Sequence, residues 1–215
     1  MEKRDRRALT GALFVVLVLV AFIGLGGDTP EGDDSARKVV SYYADNETKE
    51  IVAAVVLALS TVPLLFFSAT LRDRFRVALP GRSALPGFAF GAGVVAAGGF
   101  LAAASLHFAL ADYATDVQPA AAQAMNAIDS DFFLPFSTGI AALVLAGSLI
   151  AIRTKVLPPW LGWVGILLFI VSFTPVGFVA FGLAGLWIIV VSVLLYLRGE
   201  TVAAVPAATG PGTPH

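Results

Sequence analysis

His107 is one of two histidines in the chain, the other being the final residue, His215. It sits late in a long apolar run, where an ionisable group is costly to hold and is therefore a candidate for function. Asp112, Asp116, Asp129 and Asp131 follow it, in or beside the next polar segment. An imidazole among carboxylates can ligate a divalent metal or relay protons. Helix geometry narrows the set. At 100° per residue, His107 and Asp112 are about 140° apart around a helix, and His107 and Asp116 about 180°. Only Asp129 or Asp131, at the start of the next apolar run, can meet His107 across a bundle. His107, Asp129 and Asp131 are therefore the candidate metal or proton-relay residues. The plainer expectation is an interfacial imidazole bonded to a backbone group, so no catalytic, cofactor or metal site is assigned.

Other chemistry has less support. Glu47 and Glu50, at the mouth of another apolar run, read as solvated carboxylates. Ser60, Ser68, Ser105, Ser148 and Ser172 are available as hydroxyls. A Ser105–His107 dyad fails because residues two apart on a helix diverge. Serines in apolar helices usually bond to their own backbone or to a neighbouring helix. No Gly-Lys-Ser phosphate loop or His-Glu-x-x-His stretch is present. Gly91-x-Gly93 follows no strand and opens no βαβ unit, which excludes a nucleotide-loop reading. There are no cysteines, so disulfides, thiolate metal sites and cysteine nucleophiles are excluded.

The elements that would position these groups are apolar helices. Apolar residues make up 58% of the chain and charged residues 13%, against about half and about a quarter in soluble domains. Six stretches stand out: Ala8–Gly26, Ile51–Leu71, Leu85–Leu110, Phe132–Ile152, Leu157–Thr174 and Val176–Leu197. Each approaches or exceeds the roughly 20 residues that span hydrocarbon as a helix, and none shows the alternation of barrel strands. The expected fold is all-α, a polytopic transmembrane bundle of six membrane-spanning helices. Residues 8–200 form this single unit, after a basic N-terminus over 1–7 and before a disordered tail over 201–215.

Charge sets the expected orientation. With the N-terminus in the cytoplasm, eleven of the fourteen Lys and Arg fall on the cytoplasmic side, as basic loops that resist translocation should. Both termini are then cytoplasmic and the localisation is the plasma membrane. The net charge of −1 gives no basic face for nucleic acid. The first apolar stretch reads as a retained helix, being longer than a signal-peptide core and lacking an Ala-x-Ala-like site. Residues 28–50 form the largest polar insertion. Ala36, Val39, Val40 and Tyr43 fall at helical spacing there, which predicts a short amphipathic helix on the outer surface, capped by Asp33, Asp34 or Ser35.

Pro63 predicts a kink by removing one backbone donor and crowding the Leu59 carbonyl. The third stretch is rich in Gly and Ala, including Gly87-x-x-x-Gly91, and predicts close helix packing within the bundle. Thr174-Pro-Val-Gly177 predicts the turn of a final hairpin. Pro158 and Pro159 suit a helix start, and Trp160, Trp163 and Tyr196 an interface belt.

The phrase Leu157-Pro-Pro-Trp-Leu-Gly-Trp163, after a basic loop, resembles that of a family of bacterial six-helix multipass membrane proteins, a domain of unknown function. Val39-Val-Ser-Tyr-Tyr43 is similar to a phrase in their first external segment. The resemblance implies the six-helix layout and no particular activity. A non-enzymatic structural or accessory bundle is the expected function. The alternatives are a small transporter or lipid-binding protein with a cavity near Pro63 and the third helix, and an outer-face enzyme or metal site around His107. Expected partners are bilayer lipid and, through helix packing, a second copy or another membrane protein.

Overall fold

The computed structural model describes residues 5–79, 81, 83–154 and 156–198, and among them every regular element is helical. A 3-10 turn, Arg6–Leu9, leads into α1, Thr10–Leu19, which ends in a π-helical stretch, Val20–Leu25. Then follow α2 (Ala36–Ala78), α3 (Leu85–Tyr113), α4 (Pro119–Ser130), α5 (Leu134–Arg153), α6 (Pro159–Val171) and α7 (Gly177–Leu197). The fold is an all-α helical bundle, as expected. The disordered tail expected over 201–215 falls outside the described residues.

Local chemistry explains the boundaries. Proline occupies the first turn of α3, α4, α5 and α6, where its missing donor costs no helical hydrogen bond. Ser35 caps α2 by accepting from the Lys38 amide, one of the three residues expected there. Asp34 instead accepts from the Glu31 amide and pairs with Lys38. The Lys38 ammonium, helped by that amide, holds the Asp34 carboxyl below its ordinary range.

Among the described residues, five helical stretches are long and apolar enough to cross a membrane: Arg6–Leu25, Ala36–Ala78, Leu85–Tyr113, Pro119–Arg153 and Gly177–Leu197. Large apolar side chains point outward all along them, Phe178 (77% exposed) and Ile23 (71%) among the most extreme. In water such surfaces would drive association, whereas lipid solvates them. α6 is the exception in length. Its 13 residues reach about 20 Å, less than the roughly 27 Å expected for 157–174.

Helix contacts close a ring in the order α1, α2, α3, α5, α6, α7 and back to α1, and α5 also touches α7. A cluster of phenylalanines joins its helices, with Phe100 and Phe136 buried at its centre. Phe136 of α5 stacks on Phe100 of α3 with centroids 4.7 Å apart and meets Phe22, Phe133 and Phe181 at 5.4–6.2 Å. Glycine allows the approach between α3 and α5. A Cβ on Gly99 would overlap the backbone of Pro135 and Phe136, and one on Gly139 the backbone of Ala96. Gly93 likewise abuts Ser68 of α2. Gly87 and Gly91 do not share this role: they face outward with nothing near them. The expected small-residue packing thus belongs to Gly93 and Gly99, two faces around the helix from that pair.

The polar segments and the course of α2 differ from the sequence reading. The polar insertion does not hold a separate surface helix, because α2 begins at Ala36 and runs unbroken through Pro63 to Ala78. At 43 residues it is about 65 Å long, twice the hydrocarbon thickness of about 30 Å. Ser60 and Thr61 bond to Leu57 and Ala58 rather than to the Leu59 carbonyl that Pro63 frees. The polar segment after α3 contains a further helix, α4.

Two glycine substitutions test the packing. Gly139→Ala should cost about 1–3 kcal/mol through overpacking against Ala96, read as a lower unfolding midpoint in detergent. Gly91→Ala should leave that midpoint unchanged.

Candidate functional site: a buried Glu–His–Asp chain under a helical cap

At one end of the bundle, the first turns of α2, the last turns of α3, and α4 enclose a second apolar cluster, separate from the main core. It comprises Val39, Tyr43, Leu110, Ala111, Ala114 and Ala122. Residues 26–35 cross this cap as a strap. Asn126, buried in α4, donates to the carbonyls of Pro30 and Glu31, and Gln123 donates to that of Asp34.

Each polar residue of the site lies on the buried stripe of its helix. Val39, Tyr43, Glu50, Ala54 and Leu57 line one face of α2. His107 continues the stripe of Phe100, Ala103 and Ala104 on α3. Asp129 follows Ala122 and Asn126 on α4. Helical spacings of three, four and seven keep such positions on one face.

The stripes meet at His107. Its Nδ1 lies 2.6 Å from Asp129 Oδ2 and its Nε2 lies 3.1 Å from Glu50 Oε2. Tyr42 donates its hydroxyl to Glu50 Oε1 at 2.6 Å, and the Lys49 ammonium is 3.7 Å from the same oxygen. The Glu50 side chain is fully buried, and those of His107 and Asp129 are about 15% exposed. The ring of Tyr43 meets His107 edge-on at 6.2 Å, and its buried hydroxyl has no hydrogen-bond partner.

Carboxylates only accept, so an imidazole that satisfies both must donate from both nitrogens, which makes it an imidazolium. A neutral ring would leave a lone pair against an oxygen unless one carboxyl took the proton. Two anions around one cation, with Lys49 alongside, give near-neutral charge at a buried site, the condition under which such groups persist.

Of the two carboxylates left as candidates to meet His107, the structure brings in Asp129. The expected backbone partner of His107 is replaced by two carboxylates. Glu50, read as solvated, is the most buried member of the chain, while Glu47 is exposed as expected. Asp131 is exposed in the turn after α4, and Asp112 and Asp116 stand apart from the ring. The two carboxylates approach opposite edges of the imidazole, so the donors do not converge on a point. Among the described residues, no group of three His, Asp or Glu is placed to hold a metal. Ser60, Ser68, Ser105, Ser148 and Ser172 all donate to carbonyls three or four residues back in their own helices. No protein-family model, curated protein or solved structure matches the chain.

The two tyrosines should respond oppositely to loss of their hydroxyls. Tyr42→Phe removes a donor from a buried carboxylate and should cost about 1.5–3 kcal/mol. Tyr43→Phe removes an unpaired buried hydroxyl and should be neutral or stabilising, both being read by chemical unfolding in detergent.

Proposed function

We propose that the chain is a multipass protein of the plasma membrane, with both termini cytoplasmic, that serves as a structural or accessory bundle rather than by catalysis. One observation carries this reading. The residue best suited to chemistry, His107, has both ring nitrogens engaged by carboxylates. It is left with no free nitrogen to act as a base or to ligate a metal. The serine nearest to it in sequence, Ser105, is exposed and bonded to the Leu101 carbonyl. The chain of Glu50, His107 and Asp129 then serves to fasten α2, α3 and α4 together on the outer side. The phrase Leu157–Trp163 supports kinship with the bacterial six-helix family it resembles.

Charge placement supports the orientation. Arg72, Arg74, Arg76, Arg153 and Arg198 cluster at the helix ends opposite the cap, and basic segments of this kind stay on the cytoplasmic side. The chain has no cysteine, so single introduced thiols report cleanly. A membrane-impermeant maleimide applied to intact cells should label Asp45→Cys and spare Ser83→Cys; the reverse pattern would overturn the orientation.

The fastening role has its own test. Removing one partner of a buried ionic group costs about 3–5 kcal/mol, so His107→Ala should lower the unfolding midpoint in detergent markedly. Residues kept for catalysis are commonly held at the expense of stability. A midpoint unchanged or raised in His107→Ala would therefore count against a fastening role and in favour of a catalytic one.

A further inference from the structure

We propose that the hydrogen-bonded chain Glu50–His107–Asp129 is a proton-operated latch, which holds the α4 cap closed while His107 carries its second proton and releases it when that proton is lost. The geometry supplies both states. In the closed state the imidazolium donates to Asp129 across the α3–α4 contact and to Glu50 across the α3–α2 contact. Once the ring is neutral it can donate to only one carboxylate, and its other nitrogen presents a lone pair to the second. Two buried like charges then lose the cation between them, and separating α4 from α2 lets water reach them.

Three observations make the cap the part that yields. Its apolar cluster is small, with Ala111, Ala114 and Ala122 making up half of the buried members, so little hydrophobic area opposes opening. Closure also buries the unpartnered Tyr43 hydroxyl, a desolvation cost that opening relieves. The strap is tied to α4 through Asn126 and Gln123, so strap and helix can lift together.

The groups facing His107 are few: Glu50 and the ring of Tyr43 from α2, and Asp129 from α4. Behind Glu50 stand Tyr42 and Lys49. Beyond this end, residues 10–25, 51–71, 85–106, 134–152, 159–171 and 177–197 contain no Asp, Glu, His, Lys or Arg. A proton reaching Glu50 has no carboxylate, imidazole, ammonium or guanidinium in those helices to pass to. The arrangement thus suits sensing, and conduction would need a relay that these helices do not offer. That the latch samples the outside rests on the proposed orientation; its opening does not.

The test uses the full-length protein in lipid nanodiscs, with spin labels on Asp45→Cys of α2 and Ala121→Cys of α4, both exposed positions. Distances are measured by double electron–electron resonance from about pH 6 to about pH 10, which starts near the ordinary range of a free imidazole and extends well above it. The wild type should show one short distance at the lower end and gain a longer component as pH rises. His107→Gln should lose this transition. Glu50→Gln should also lose it and stay closed, because the amide can donate to the neutral ring. An unchanged distance in the wild type across the range, or the same transition in His107→Gln, would overturn the latch. The wild-type titration decides even if a variant does not fold, and it does so whichever way the thiol labelling falls.

Discussion

An imidazolium with a carboxylate at each edge joins three segments that lie far apart in the chain. Glu50 is 57 residues before His107, and Asp129 is 22 after it. Closing loops of those lengths costs conformational entropy, and the small cluster of the cap contributes modest hydrophobic return. The ionic chain therefore has a larger part here than a surface pair would, because its members are withdrawn from water. That same withdrawal makes it unforgiving. A buried carboxylate whose cation is lost retains its full desolvation penalty.

The body of the bundle rests on different physics. Its helices approach through Gly93, Gly99 and Gly139, Phe100 stacks on Phe136 between α3 and α5, and hydroxyls such as those of Ser68 and Ser148 turn back onto their own helices. Charge enters only at its far end, where Arg74 pairs with Asp5. The protein thus combines an apolar body, set by shape, with a polar end, set by hydrogen-bond valence. The two apolar clusters are distinct, and Glu50 and His107 lie between them along α2 and α3.

Most of the helical body was legible in the sequence because a long uncharged run leaves few other states available. The partner of His107 was legible only in part, since angular spacing removed Asp112 and Asp116 but did not separate Asp129 from Asp131, and a backbone bond was the plainer expectation. Glu50 was misread because its residue type was weighed ahead of its position. Tyr43 and Glu50 are seven apart, two helical turns, and Ala54 and Leu57 continue the same stripe. Following that stripe through the polar insertion would have placed Glu50 inside. It would also have joined the amphipathic segment to the second apolar run as one helix. The helix α4 carried a weaker signal, Pro119 before an Ala-rich run, in a segment whose Asp residues favour a loop reading. The outward placement of Gly87 and Gly91 depends on which face of α3 meets α2, which composition does not encode.

The shortness of α6 has a consequence for the surrounding lipid. A bilayer around the bundle meets walls of unequal height: α2 and α3 exceed the acyl region, while α6 offers about 20 Å. Acyl chains beside Trp160, Trp163 and Phe173, all largely exposed, must shorten or tilt to match that wall, at a fraction of a kcal/mol per ångström of mismatch. The annulus is then thinnest beside the α6–α7 hairpin. By this mismatch alone, the molecule favours membranes, or neighbours within a membrane, that already have a thin side to offer.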